Sequence, residues 1–271
     1  MAGPRILVGC GKMGGALLSG WIERGADPQS LIVIEPAAEA AEAVRAAHGV
    51  RVEADPGALA ADVDPEVVIF AVKPQGLDDI APLYQGFAGG TTVFLSIAAG
   101  KTIGFFERAL GAEAAIVRTM PNTPAAVGRG ITAAFANPHV VGGQRALCQE
   151  LLEAVGEVVW VDNEGMLDAV TAVSGSGPAY VFLLIECLAE AGVEAGLPAD
   201  IAQRLARATV IGSGELARQS PDPADQLRRN VTSPGGTTEA ALGVLMADDG
   251  LAQVMRRAVA AATRRSRELA G

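Results

Sequence analysis

Short apolar runs alternate with amphipathic helical segments from the start of this chain to Val161. Runs that are short enough for buried strands occupy residues 6–8, 31–34, 67–72, 92–97, 115–117, 131–135 and 158–161. Helices with Ala or Leu at helical spacing separate most of them, and this alternation predicts a mostly parallel sheet with helices on both faces. Because the connection from Val117 to Ile131 is too short for a crossover helix, we expect an antiparallel pair after the fifth strand.

Beyond Val161 the pattern is helical. Helix starts are indicated at Asn163, Pro178, Pro198, Asp222 and the Pro-Gly-Gly loop of residues 234–236. Residues 179–188 are apolar nearly all round, so this helix needs partners on every side, and we expect it in the core of a dimer. A final amphipathic helix is predicted over about residues 251–269.

Composition narrows the class of protein. The 271 residues fit one or two domains, and the 4% aromatic content indicates an aliphatic core with closely packed helices. A net charge of -10 argues against a nucleic-acid partner. Cys10, Cys148 and Cys187 lack metal-ligand or redox spacing, so no metal site is predicted. With no leader pattern and no apolar run of membrane-spanning length, we expect a cytoplasmic protein without a membrane partner.

A glycine loop directly follows the first strand and opens a helix. Its sequence, Gly-Cys-Gly-Lys-Met-Gly, is typical of dinucleotide-binding turns: one glycine permits the turn, the next admits a pyrophosphate, and the last lets helix and strand pack closely. Glu35 ends the second strand, where a carboxylate binds the adenosine ribose. The combination favours a dinucleotide site over a merely structural turn. The residues assigned to it are Gly9, Gly11, Lys12, Met13, Gly14 and Glu35.

Glu35 also bears on which dinucleotide binds. Its charge repels a 2'-phosphate unless an arginine offsets it, and no basic residue lies between Arg24 and Arg45. The sequence therefore favours NADH over NADPH. The alternative is that Glu35 is a solvated residue before Pro36.

Two further strand ends carry candidate residues. Lys73, within Val72-Lys73-Pro74, is placed to meet the cofactor, or is an exposed strand-end lysine. Asn122 lies between two prolines, where its amide could orient a ligand. Capping of the turn is the default interpretation for Asn122.

Residues 231–238, Val-Thr-Ser-Pro-Gly-Gly-Thr-Thr, form a second candidate anion site. Little side-chain bulk surrounds Gly235 and Gly236, and a helix begins at once, so free N–H groups and the helix dipole favour a carboxylate or phosphate. The alternative, favoured on spacing alone, is an ordinary helix start with Thr237 or Thr238 as N-cap and Glu239 in the first turn.

Together these motifs resemble one family, the pyrroline-5-carboxylate reductases. The resemblance rests on residues 9–14, 71–74, 118–124, 174–180 and 231–238, in order along nearly the whole chain. It implies reduction of 1-pyrroline-5-carboxylate to L-proline, the last step of proline biosynthesis, with NAD(P)H. It also implies a Rossmann-type domain over residues 1–162, an all-α dimerisation domain over 163–271, and a homodimer at least, often a decamer of five dimers.

The resemblance also implies roles for single residues. Thr238 is the candidate catalytic residue, beside the substrate nitrogen, and Asn230 lies by the nicotinamide. Cofactor contacts extend to Val72, Lys73, Pro74 and Asn122. The substrate-binding residues are Glu164, Ser174, Gly175, Ser233, Gly235, Gly236, Thr237 and Thr238. The chain departs from the family at Glu35, where members that favour NADPH commonly have a small or polar residue, and at Pro56, where many have a cofactor-binding asparagine.

Three other interpretations stay open at this point. Hydroxyacid and 6-phosphogluconate-type dehydrogenases share the two-domain plan, but they use a lysine of the helical domain, and this chain has none after Lys101. An imine reductase for another substrate is the nearest remaining enzyme. A dinucleotide-binding regulator without turnover is the alternative from another class.

Overall fold

The computed structural model describes residues 3–59 and 63–270. The chain divides into two compact units: residues up to Gly175 together with those from Ala262 onward, and Ser176–Ala261. The ranges 1–162 and 163–271 expected for the two domains stay a prediction beside this division, and their residues 1, 2, 60–62 and 271 lie outside the described part.

The first unit is built on one eight-stranded sheet with the order β3-β2-β1-β4-β5-β6-β7-β8. The strands are β1 Arg5–Val8, β2 Leu31–Ile34, β3 Arg51–Glu53, β4 Val67–Phe70, β5 Val93–Ser96, β6 Ala115–Met120, β7 Gly130–Ala136 and β8 Gly156–Trp160. Every neighbouring pair is parallel except β6 and β7. The predicted doubly wound sheet and the antiparallel pair after the fifth predicted strand are both confirmed.

Helices cover both faces of this sheet. They are α1 Lys12–Glu23, α2 Ala38–His48, α3 Leu77–Ile80, α4 Ile103–Leu110, α5 Gly142–Glu153 and α6 Met166–Val170. Alternate strand residues point to opposite layers: Leu7 and Ile69 pack with α1 and α5, whereas Ile6 and Phe70 pack with α3 and α4. Burial on both faces explains why these strands are continuous apolar runs.

Two differences from the predicted strands have physical causes. We did not predict β3, because a three-residue strand with two charged residues forms no apolar run. Its pairing with β2, which aligns Ile34 with Glu53, creates it instead. Strand β6 continues past Val117 to Met120, because residues 118–120 pair with β7. The predicted apolar run ended at Val117 because Arg118 and Thr119 are polar, although both are buried.

The second unit is helical, as predicted. It contains α7 Gly177–Glu194, α8 Ala199–Gln219, α9 Ala224–Asn230, α10 Thr237–Leu245 and the first part of α11 Leu251–Ala270. Helices α7 and α8 pack so closely that a Cβ on Gly192 would lie 3.2 Å from the Cβ of Ala202. Among the residues described in this unit, the only buried hydrophobic side chains are Ala189, Ala202 and Ala206. The unit therefore has almost no apolar core within one chain.

Candidate active site

The glycine loop between β1 and α1 has the geometry that a dinucleotide needs. Gly9 has φ +86°, which strains any other residue, and its N–H donates to the Ile34 carbonyl at 2.9 Å. A Cβ on Gly14 would lie 2.5 Å from the Gly9 carbonyl oxygen, so this position permits the close packing of helix and strand. Nothing lies within 4 Å of a Cβ built on Gly11, and no side chain caps α1. The backbone at Gly11 is therefore open to a phosphate.

Glu35 is tied to this loop. Its Oε2 accepts the backbone N–H of Cys10 at 3.1 Å, and its Oε1 accepts that of Ala37 at 3.1 Å. Burial, and secondly the charge of Glu35, raise the pKa of the Cys10 thiol to about 11. The carboxylate is thus held at the end of β2, beside the glycine loop, in the half-buried position where a ribose ligand is expected.

A cavity of about 600 Å³ opens beside Glu35 at the carboxyl ends of the strands. Its apolar lining includes Val72 and Phe87, and Asp55 supplies a second carboxylate. Pro56 also lines it. The described lining residues contain no lysine, arginine or histidine.

The other predicted cofactor residues of this unit lie at the same edge of the sheet. Val72 packs against Gly9: a Cβ built on Gly9 would lie 2.6 Å from the Val72 Cγ1. Lys73 is exposed and precedes a short 3-10 turn that begins at Pro74. Asn122 uses its Oδ1 to accept the Ile131 N–H at 2.9 Å. That bond supports the turn between β6 and β7, in line with the default interpretation of Asn122.

Glu164 joins three segments of the first unit. Its Oε1 accepts hydrogen bonds from Arg118 Nη1 at 2.7 Å and from the Ile103 N–H at 2.8 Å. Arg118 is only 5% exposed, so its guanidinium depends on this carboxylate. We assigned no role to Arg118 from the sequence. A charged residue that continues an apolar strand is the signal that could have indicated a buried partner.

Ser174 and Gly175 lie in a single π-helical turn, Thr171–Gly175. The Ser174 hydroxyl donates to the Val170 carbonyl at 3.1 Å. Gly175 packs against the end of the Met120 side chain, which leaves no room there for a Cβ unless the methionine moves. Such turns are frequent at functional sites.

The loop at residues 231–238 lies in the helical unit and starts α10. The N-cap is Gly236, without a capping side chain, so the alternative that Thr237 or Thr238 caps the helix is wrong. Gly235 has φ +70°, and its N–H donates to the Glu239 Oε2 at 2.6 Å. The helix start therefore attracts a carboxylate, and in the single chain the carboxylate is its own Glu239.

Asn230 ends α9, just before this loop. Its Oδ1 accepts a hydrogen bond from the Gln226 side chain at 2.7 Å, and the residue is exposed. Ser233, Thr237 and Gly236 are likewise exposed or half-buried. The loop side chains are therefore accessible to a ligand within their own unit.

Comparisons with known proteins agree over the whole chain. Residues 164–269 match the family described as pyrroline-5-carboxylate reductase dimerisation, and residues 5–100 match NADP oxidoreductase coenzyme F420-dependent. A pyrroline-5-carboxylate reductase of Synechocystis sp. is 44% identical over 97% of both chains. The chain belongs to the pyrroline-5-carboxylate reductase family. The resemblance inferred from the sequence is thereby confirmed.

Two solved members of the pyrroline-5-carboxylate reductase family share the fold. The reductase of Coxiella burnetii has a TM-score of 0.93 at 35% identity, with 100% of each chain covered. That of Plasmodium falciparum, whose structure holds NADP, has a TM-score of 0.82 at 29% identity, covering 99% of this chain and 98% of the other.

One helical stretch, Met166–Glu194, is long and apolar enough to cross a membrane by length and composition alone. This stretch lies within residues 164–269, which match the pyrroline-5-carboxylate reductase dimerisation family. Its exposed hydrophobic side chains include Val181, Phe182 and Leu184. The family match therefore favours a second protein subunit, rather than a membrane, as the surface that covers these side chains.

Proposed function

We propose that this chain reduces 1-pyrroline-5-carboxylate to L-proline with a hydride from NAD(P)H, and that it prefers NADH. The observation that carries the proposal is similarity to pyrroline-5-carboxylate reductases along the full chain, with both ligand loops present. The glycine loop supports a dinucleotide, and the loop before α10 supports the carboxylate of the imine.

The residues of the first unit fit the dinucleotide. Gly9, Gly11 and Gly14 would admit its pyrophosphate, with Lys12 and Met13 in the same loop and Val72, Lys73, Pro74 and Asn122 along the same edge. Asn230 would lie by the nicotinamide. When bound, the reduced nicotinamide supplies the hydride.

The loop before α10 would hold the substrate carboxylate. The N–H groups of Gly235, Gly236 and Thr237 and the hydroxyl of Ser233 are its proposed donors. In the single chain the Gly236 N–H donates to the Ser233 carbonyl at 3.0 Å, so it would have to be shared with the substrate. Because Glu239 accepts the Gly235 N–H in the single chain, the substrate carboxylate has to displace it or share the site. Glu164, Ser174 and Gly175 complete the proposed substrate contacts.

The reaction requires little acid catalysis. A cyclic imine protonated on nitrogen accepts the hydride at carbon, and the C=N electron pair becomes the nitrogen lone pair of the amine. Thr238 would hydrogen-bond this nitrogen, directly or through water. Most of the rate would come from holding the hydride donor and the acceptor carbon together.

The preference for NADH rests on charge. Glu35 is held at the end of β2 by the Cys10 N–H, where we expect the ribose to bind, and the described lining of the adjacent cavity has no basic side chain to neutralise a 2'-phosphate. A diol can donate to the carboxylate, whereas a phosphate is repelled by it. We therefore propose NADH as the better donor.

The helical unit would pair with that of a second copy. Among its described residues, the buried hydrophobic side chains are three alanines, and large apolar side chains are exposed along α7 and α8, including Phe182 and Leu205. A homodimer would give this surface a core. Light scattering of the purified protein distinguishes a dimer from a decamer of five dimers.

The cytoplasmic location remains a prediction of the sequence.

Product analysis tests the reaction. With NADH and racemic 1-pyrroline-5-carboxylate, we expect L-proline in amounts equal to the NADH oxidised. The matched control is 1-pyrroline, which has the same C=N bond without the carboxylate. Equal kcat/KM for both imines would indicate a different imine reductase, and no turnover with either would indicate a dinucleotide-binding protein without this activity.

A further inference from the structure

The cavity beside the glycine loop has a second acidic residue whose position follows from the sheet. Strands β2 and β3 are parallel neighbours with Ile34 opposite Glu53, and the Glu35 N–H donates to the Glu53 carbonyl at 2.9 Å. Glu35 and Asp55 therefore leave adjacent strands at the same edge, within two residues of the paired positions. Both line the cavity.

Asp55 is held in place by its own turn. It is the N-cap of a 3-10 turn at Pro56–Ala58, and its Oδ1 accepts the Gly57 N–H at 2.5 Å. The side chain is exposed at the cavity rim rather than buried in the fold. Tyr84 lies in the cavity wall, and its pKa is raised mainly by burial and secondly by the negative charge of Asp55.

The nearby arginines are occupied elsewhere. Arg45 Nη2 donates to the Val52 carbonyl at 2.8 Å and its Nη1 lies 3.4 Å from Glu42, while Arg51 pairs with Glu53 at 2.8 Å. None of these arginines lines the cavity. The rim thus has two carboxylates and, among the described lining residues, no cation.

We propose that Asp55 is a second specificity-determining residue, which acts with Glu35 to select dinucleotides with a free adenosine ribose diol over those with a 2'-phosphate. This inference rests on the proposed function only for dinucleotide binding and needs no turnover. Two fixed negative charges repel a 2'-phosphate more than one does, whereas ribose hydroxyls can donate to both.

The chain offers a matched control for Asp55. Asp27 is also followed by proline and caps a 3-10 turn, Pro28–Ser30, with its Oδ1 accepting the Gln29 N–H at 3.0 Å. Asp27 does not line the cavity beside Glu35. Asp55→Asn and Asp27→Asn therefore remove the same charge from the same type of turn, and asparagine retains the turn hydrogen bond.

Calorimetric titration of the full-length protein with NADPH and NADH tests the proposal by binding alone. Asp55→Asn is expected to tighten NADPH binding about tenfold, with no gain for NADH, and Glu35→Gln to act in the same direction. Asp27→Asn should leave the ratio of the two dissociation constants unchanged. Asp55→Ser, which also keeps a turn acceptor, should reproduce the shift of Asp55→Asn.

Two results would overturn the role of Asp55: an unchanged ratio in both Asp55 variants, or an equal shift in Asp27→Asn. Neither depends on reduction of the imine. If the wild-type protein binds dinucleotides but does not reduce 1-pyrroline-5-carboxylate, the proposed function fails while the binding ratio still decides the role of Asp55.

Discussion

Glu35 accepts a hydrogen bond from the backbone N–H of Cys10 at 3.1 Å. This contact ties the end of β2 to the glycine loop and fixes a negative charge beside the backbone that would receive the pyrophosphate. The charge also acts on the thiol of Cys10, which gives a way to detect it without any ligand.

Glu35→Gln is expected to speed the alkylation of Cys10. Burial and the Glu35 charge hold the Cys10 pKa at about 11, so only about one thiol in a thousand is the reactive thiolate at pH 8. Removal of the like charge lowers the pKa and should raise the iodoacetamide rate at pH 8 about two- to fivefold, as measured by peptide mass spectrometry. Cys148, whose pKa of about 12 is due to burial alone, is the internal control. An unchanged Cys10 rate would contradict the electrostatic contact.

Thr238→Ala is expected to lower kcat/KM for the imine about three- to tenfold, because one hydrogen bond to the substrate is lost. The dissociation constant for NADH should hardly change. Thr238→Ser, which keeps the hydroxyl, should restore most of the activity. Weaker NADH binding with normal imine kinetics would show that Thr238 does not lie at the substrate.

Glu239→Gln is expected to lower KM for 1-pyrroline-5-carboxylate about two- to fivefold. Glu239 accepts the Gly235 N–H and places a negative charge where the substrate carboxylate would bind. Asp200→Asn, in the first turn of α8, removes the same charge from another helix start and should leave KM unchanged. A higher KM in the Glu239 variant would mean that the carboxylate orders the loop rather than competing for it.

The sequence predicted the fold well where local patterns determine it. Apolar runs located seven of the strands, Pro178 and Pro198 located the starts of α7 and α8, and Asp222 lies just before the start of α9. It failed where a contact between distant residues decides the structure. Strand β3 exists because Ile34 pairs with Glu53, and the burial of Arg118 depends on Glu164, 46 residues further along.

The same distinction applies to the candidate site. The glycines of the first loop were predicted from spacing, and the structure shows a requirement for glycine at Gly9, through its φ of +86°, and at Gly14, through its contact with the Gly9 carbonyl. At Gly11 it shows open space. At the start of α10 the alternative of a threonine N-cap is wrong: the N-cap is Gly236, and the carboxylate of Glu239 accepts the Gly235 N–H. Asp55 was not predicted, since its place at the cavity depends on the pairing of β3.

Glu164→Gln is expected to lower the free energy of unfolding of the first unit by about 1–3 kcal/mol, because it leaves the buried Arg118 without a charged partner. Both tryptophans, Trp21 and Trp160, lie in this unit, so urea unfolding followed by their fluorescence measures it. Glu268→Gln, which breaks an exposed pair with Arg265, should cost about 0.5 kcal/mol or less. Equal losses of unfolding free energy in the two variants would contradict a structural role for Glu164. A raised KM for the imine in Glu164→Gln, with unchanged stability, would favour the proposed contact of Glu164 with substrate.

The most direct test of the central claim is a parallel assay of the wild-type enzyme with 1-pyrroline-5-carboxylate, in which kcat/KM is measured for NADH and for NADPH at the same ionic strength. The proposed reaction predicts imine-dependent oxidation of both cofactors. The fixed charge of Glu35 predicts a higher kcat/KM for NADH than for NADPH. A higher kcat/KM for NADPH would contradict the proposed preference, and no imine-dependent oxidation of either cofactor would contradict the proposed reaction.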